Sequence, residues 1–535
     1  MRTIRIAQTE ARGHFLLTLL LMMSAFAARA LPGPRTIDDA YITFRYARNI
    51  VAGEGFVYNT GERVLGTTTP LYTLLMAAES SLSGRRDAST GLPAGYPELA
   101  LLTNAIAGST STWLLYRLGR RLGNGTFVGI AVAACWAIHP ASVTFAIGGM
   151  ETPVFVALVL GTLAAYLEGK WRATGTLAAL ALLTRPEALM VIVLIAADVA
   201  ARLFRRPQRN PHAAQRAAMR WPASLAALVL ILAPWLIFAT LYFGSPIPGS
   251  ILAKGVAYQL SSTQALTTFL RALVVPFSSV GSFSPVVGLL LLTVYTTLFA
   301  IGALTAIRRE ARSWPMFAFV PAYLVAYVVA NPLIFRWYAV PPFPIFLLGI
   351  AVGWRTVTGE ISQPRAAHAL FTAGAIVAIA SAAGGWWIPD HGPTAPAPRM
   401  AYIKVEQAYL EAAEALRGLV GPETVLAAGD IGAIGYATGA RIYDTLGLIT
   451  PDARQYYPVP PEAIVPSMPY AIPTDLILGA QPDIVVIFEA YGRNTFLQNA
   501  DFKAQYELIA TLRSDAATDY RSEGMLIFRR IGSAR

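Results

Sequence analysis

The chain has 535 residues, 55% of them hydrophobic and 14% charged, with a net charge of +11 and a mean hydropathy of +0.50. A soluble protein carries about 25% charged residues, so this composition excludes an ordinary soluble enzyme. One cysteine, Cys135, excludes an internal disulfide framework and a cysteine-based metal site, and five scattered histidines offer no zinc-ligand spacing.

A membrane-spanning helix needs about 20 largely apolar residues. Runs at 13–31, 96–116, 125–147, 152–169, 173–186, 188–203, 221–243, 285–307, 315–333, 339–354 and 368–388 predict eleven spans. The basic start and the small-residue stretch "AFAARAL" also fit a cleavable secretory signal, but the run nearly reaches spanning length and many spans follow. Between the first two spans, residues 32–95 form a loop. Within it, Ile37, Ala40, Tyr41, Phe44, Ala47 and Val51 recur at helical spacing until Gly53 and Gly55 stop the pattern. This predicts an amphipathic helix lying on the membrane surface. Residues 67–82 are too short to cross and are read as interfacial. "TRPEA" at 184–188 separates two short spans and predicts a broken hairpin, which is tolerated where backbone lines a cavity.

Basic residues collect in the gaps 1–12, 117–121, 170–172, 202–220, 308–312 and 355–365, while the alternate gaps hold fewer bases and most of the acids. The positive-inside rule makes the first set cytoplasmic. It also accounts for the net charge without invoking nucleic acid. The expectation is a multi-pass protein of the plasma (inner) membrane, with a cytoplasmic N-terminus and an outward C-terminal part. Residues 1–388 form the membrane domain and 389–401 ("PDHGPTAPAPRMA") a proline-rich linker. Residues 402–535 form a small extracytoplasmic α/β domain, with strands expected at "TVLAA", "RIYDTLG", "DIVVIF" and "MLIFRR". Glycines at 429, 432, 435 and 439 follow the first of these and suit turns and close packing better than a nucleotide.

Asp38 and Asp39 open the loop helix. At about 100° per residue Asp38 shares a stripe with Arg45 and Asn49, whereas Asp39 lies about a third of a turn away with Thr43 and Tyr46. First-turn carboxylates can simply complement the helix dipole, with Thr36 as cap. The segments "DDAYITFRYARN", "GEGFVYNTGERVLGTTTPLYTLL", "GGMET", "LTRPEAL", "YFGSPIPGSILAK", "FRWYAVPPFP" and "GDIGAIGYATGARIYDTLGLITP" run in this order along most of the chain. Together they resemble the GT-C class of integral-membrane glycosyltransferases, and most closely its mycobacterial terminal arabinofuranosyltransferase-like branch.

That resemblance implies an inverting enzyme that moves a sugar from a polyprenyl-phosphate donor to an extracytoplasmic glycan, glycolipid or protein. It implies Asp38 as the general base, with Asp39 in support. Donor phosphate would be held by Arg185, Lys254 and Arg336, for which snorkelling or an internal Arg185–Glu187 pair is the plainer alternative. Tyr41, Arg45, Asn49, Glu151, Glu187 and Tyr338 complete the expected pocket, a helix cap being the plainer reading of Glu151. No cofactor is implied. No DxD spacing lies near Asp38, so the expected reaction is metal-independent, with an acid-held divalent cation as the alternative. A transporter or lipid-carrier flippase, and a non-catalytic membrane assembly protein of the same fold, are the competing readings. The first lacks matched broken helices in two halves, and the second has no need of the paired acids.

Overall fold

The computed structural model describes residues 2–88, 90–205, 211–258, 261–274, 285–330, 335–386, 397–401, 403–466, 468–514, 517 and 521–532, with side chains for all but 2–11, 205, 211–220 and 285. The expected linker lies outside these residues as far as 396.

The membrane part is helical throughout. In chain order it comprises α1 (Arg2–Ala30), α2 (Asp38–Ala52), α3 (Pro70–Ser83), α4 (Tyr96–Leu122), α5 (Thr126–Ile138), α6 (Pro140–Ile147), α7 (Thr152–Leu167), α8 (Trp171–Thr184) and α9 (Ala188–Arg205). It continues with α10 (Pro211–Phe243), α11 (Gly249–Ala257), α12 (Ser262–Val274), α13 (Pro285–Arg309), α14 (Trp314–Ala330), α15 (Phe343–Gly359) and α16 (Pro364–Gly384). The expected span 125–147 falls on two helices, α5 and α6, and the others overlap one helix each within the described residues. Among the described residues, six helices are long and apolar enough to cross a membrane, or seven if the bent pair α5–α6 is one span.

That pair bends by 43° because Pro140 cannot continue a helix from His139, which is extended at φ −60°, ψ 130°. The same chemistry breaks the chain between α8 and α9, where Arg185 precedes Pro186 and is extended at φ −154°, ψ 138°. Helices α13 and α15 approach backbone to backbone, since a Cβ on Gly302 would lie 1.9 Å from the Gly349 carbonyl oxygen. At one end of the bundle the charged gaps meet: Arg121 pairs with Glu310 at 2.5 Å, Lys170 with Glu168 at 2.6 Å, and Arg202 with Asp198 at 2.6 Å.

At the other end sits a five-stranded sheet, β1 (Val425–Ala428), β2 (Arg441–Asp444), β3 (Ile484–Phe488), β4 (Tyr506–Leu512) and β5 (Met525–Arg530), in the order β2-β1-β3-β5-β4. β1 runs parallel to β2 and β3; β5 is antiparallel to both β3 and β4. Its helices are α17 (Lys404–Ala415), α18 (Gly432–Thr438), α19 (Thr474–Ala480) and α20 (Ala500–Gln505).

Helix α2 is the seam between the two parts. Ala40, Phe44 and Ala47 belong to the bundle's apolar core, while Ile42 and Tyr46 join the core of the sheet. The helix is therefore buried on two sides and does not lie flat on a membrane surface.

Candidate active site

Two cavities meet beside α2. The first, about 560 Å³, is lined by Asp39, Thr43, the 67–69 threonines, Glu151, Arg185, Glu187, Lys254, Tyr327 and Tyr338. The second, about 480 Å³, lies between the bundle and the sheet and is lined by Asp38, Arg336, Glu406, Asp430 and Asp444 among others. Asp39, Ile42, Lys254, Trp337 and Leu448 border both.

The two acids of the opening turn differ sharply. Asp38 is buried, and both carboxylate oxygens are occupied: Gly432 N donates to Oδ2 at 2.9 Å and Ala433 N to Oδ1 at 2.7 Å. It thus caps α18 of the sheet part, and its own backbone N–H donates to Glu406 Oε1 at 3.0 Å. Burial raises its carboxyl well above the usual range, and the nearby Asp430 charge adds to this. Asp39, one residue on, keeps a third of its side chain exposed at the junction of the cavities, 4.0 Å from Lys254 Nζ. The expected base is therefore tied to backbone amides, and its supposed helper is the carboxylate that faces open space.

Arg45 and Asn49 follow Asp38's stripe into the interface and line neither cavity. The Arg45 guanidinium donates to the carbonyls of Tyr58 (2.9 Å), Gly435 (2.7 Å) and Ala440 (2.6 Å), and Asn49 Nδ2 donates to those of Val57 and Tyr58, both at 2.9 Å. Tyr41 also lines neither cavity; its ring packs on Phe44 and Tyr436. These three make docking contacts, Arg45 and Asn49 because the stripe they share with Asp38 is the one covered by the sheet.

Arg185 does reach the first cavity, but it arrives paired. Its Nη1 lies 2.8 Å from Glu151 Oε1, and its Nη2 lies 2.6 Å from Glu187 Oε1. Tyr327 donates to the same Glu187 oxygen. Glu151 does not cap α7 through its side chain; it faces the arginine. Both terminal guanidinium nitrogens are paired, so Arg185 braces the wall rather than presenting a free cation. Lys254, on α11, donates to Tyr338 Oη at 3.1 Å. Burial opposes its charge, but Tyr338 and Asp39 outweigh that and hold its pKa above the ordinary lysine value. Arg336 is exposed, donates to the Met400 carbonyl at 3.1 Å, and borders only the second cavity. The three expected phosphate ligands are thus divided between two spaces, with Lys254 shared.

The sequence assigns no role to Glu406, whereas it lets Asp430, with Tyr436 and Asp444, reach toward an acceptor. Burial pushes Glu406 up to about 7, and pushes Asp430 up to about 6 against the Tyr409 hydroxyl that donates to it at 2.9 Å. Asp430 is signalled by the glycine run it interrupts. Glu406 sits on an ordinary amphipathic helix and carries no sequence signal at all. Among the described residues, no group of three or more His, Cys, Asp or Glu side chains is placed to hold a metal ion.

Residues 400–528 match a family described only as a domain of unknown function, DUF8728. No curated protein matches the sequence. The whole structure is similar to ArnT from Cupriavidus metallidurans, in the apo state and bound to undecaprenyl phosphate, with a TM-score of 0.55 in each case and 11% identity. The match covers 97% of this chain and 98% of the apo structure. It is also similar to the archaeal oligosaccharyltransferase AglB from Archaeoglobus fulgidus, solved with an inhibitory peptide and a dolichol-phosphate, at TM-score 0.52 and 11% identity, covering 90% of this chain and 70% of that one. Its structural neighbours are GT-C glycosyltransferases, and the chain has their fold.

Proposed function

We propose that the protein is an inverting, polyprenyl-phosphate-sugar-dependent glycosyltransferase, and that Asp39, not Asp38, is its general base. The single observation that carries this is the position of Asp39: a partly exposed carboxylate at the junction of two cavities, facing Lys254. The lipid phosphates named for ArnT and AglB support the donor class. In this reading the donor's sugar phosphate enters the first cavity. The acceptor hydroxyl attacks the anomeric carbon, its proton passes to Asp39, and the bond from that carbon to the phosphate oxygen breaks, releasing polyprenyl phosphate. Lys254 takes up the charge that develops on the departing phosphate.

Arg185 acts on the reaction indirectly. Its two carboxylate partners fix the wall against which Tyr338 and Lys254 stand, and its guanidinium carbon lies 5.2 Å from the Tyr338 ring centre. The charged gaps at the far end of the bundle favour a cytoplasmic placement of that end. The sheet would then lie outside the cell membrane, over a catalytic domain of residues 1–388.

The test is a membrane assay with a panel of radiolabelled polyprenyl-phosphate sugars, comparing wild type with Asp38→Asn and Asp39→Asn. Loss of a positioned base lowers the rate by roughly 10²–10⁴-fold. Asp39→Asn is expected in that range while still purifying as folded protein. Undiminished transfer by Asp39→Asn overturns the assignment.

A further inference from the structure

The topology of the sheet points to a second binding site. From β1 the chain passes through α18 to β2 on one side, and then returns to place β3 on the other side of β1. All three strands are parallel, so their carboxyl ends share one edge and the strand order reverses between β1 and β3. In open α/β sheets, ligands bind outside the carboxyl ends at such a switch point. Here the crevice faces the helical bundle. Gly429, Asp430 and Ile431, which follow β1, and Asp444, Leu446 and Leu448, at and after the end of β2, line the cavity that also contains Asp39. Tyr491, just past β3, reaches across the switch point and donates to Asp430 Oδ2 at 3.4 Å, beside the Tyr409 hydroxyl at 2.9 Å.

The lining fixes the chemistry of the occupant. Asp38 and Asp444 are consumed by backbone amides, and Glu406 accepts from the Asp38 N–H. Asp430 has both its hydroxyl partners on Oδ2, so Oδ1 has no partner among the described residues. An ionised carboxylate only accepts, so the occupant must offer hydrogen-bond donors, as the hydroxyls of a sugar do. Phe335, Trp337 and Tyr258 supply aromatic surface to the same space, with Phe335 and Trp337 stacked at 4.6 Å and 4°. Hydroxyls on one side and an apolar face on the other describe a sugar ring.

We infer that the switch-point crevice is the acceptor subsite, that it takes a carbohydrate, and that Asp430 is the acceptor-binding carboxylate. This rests on the transfer reaction proposed above. It makes the C-terminal sheet part of the active site: one wall of the acceptor's path comes from α2 and the other from the turn after β1.

The experiment uses the full chain in lipid nanodiscs, with short oligosaccharides, peptides and lipid-linked hydroxyl compounds as acceptor probes. Acceptor and donor KM are measured separately for wild type, Asp430→Asn and Tyr491→Phe. Losing a hydrogen bond to a charged group costs about tenfold in affinity. Asp430→Asn should therefore raise the oligosaccharide KM by about that factor and move the donor KM far less, with Tyr491→Phe giving a smaller shift in the same direction. A parallel saturation-transfer NMR measurement with the oligosaccharides alone needs no turnover, and its signal should weaken in Asp430→Asn. An unchanged oligosaccharide KM, an equal rise in both KM values, wild-type preference for the peptides or lipids, or no wild-type NMR signal each overturns the inference. Failure of the catalytic reading is distinguishable, because it appears as full transfer by Asp39→Asn whatever Asp430 does.

Discussion

Asp38 and Asp39 are adjacent in sequence, yet they work in different surroundings. Asp38 is desolvated and spends both oxygens on the first amides of α18; Asp39 is partly solvated and faces a lysine across a gap of 4.0 Å. A helix buried on two sides turns one residue of offset into a change of neighbourhood, because 100° of rotation carries a side chain from the sheet to the cavity. A carboxylate whose oxygens already accept backbone donors has fewer positions left for an incoming hydroxyl. One that faces a cation across open space can accept a proton from an incoming group.

The comparison can be broken most directly by swapping what the two acids lose. Asp39→Asn should remove transfer with little change in thermal stability. Asp38→Ala should do the reverse. It strands two buried N–H groups, each costing about 1–3 kcal/mol, so its melting temperature in detergent should fall clearly, with activity declining only as docking fails. Equal effects of both substitutions on rate at unchanged stability would erase the distinction.

Next in size is Lys254→Met, which keeps the apolar stem and deletes the charge. A charge-assisted contact is worth roughly 1.5–3 kcal/mol. Donor KM should rise at least tenfold, and an unchanged value would mean the phosphate lies elsewhere. Gly432→Ala probes the docking side without removing a titratable group. The added Cβ would sit 1.8 Å from the Asp38 carbonyl oxygen, and overpacking of this kind costs about 1–3 kcal/mol. A lowered unfolding midpoint is expected, and wild-type stability would show that α18 does not press on α2.

A further effect is one of pH. Glu406 has a folded pKa near 7 against 4.5 for a free glutamic acid, so the folded state holds its proton more tightly than the unfolded state. Its contribution is therefore most favourable below about pH 4.5 and is lost as pH rises through 7. Glu406→Gln should flatten the stability–pH curve between those limits. A curve identical to wild type would place the titration elsewhere.

Much of the fold is legible in the chain. The apolar runs place the expected spans on helices, since spanning length and hydropathy are local properties. β1, β2, β3 and β5 fall where branched residues cluster. β4, "YELIATL", escapes because its alternation is half exposed and its neighbours read as helix. The Arg185–Glu187 pairing is visible in "TRPEA", but the second partner, Glu151, lies 34 residues away and only folding brings it in.

The sequence alone determined the membrane class, the paired acids at the start of a loop helix, and the alternation of charged gaps, because each follows from composition or short-range period. The tertiary structure decided which acid borders both cavities, that Arg45 and Asn49 clamp a sheet, and that Asp430 shares a cavity with Asp39. Those are outcomes of contacts nearly 400 residues apart along the chain, such as Gly432 N on Asp38. No local pattern encodes which face of a helix a distant domain will cover.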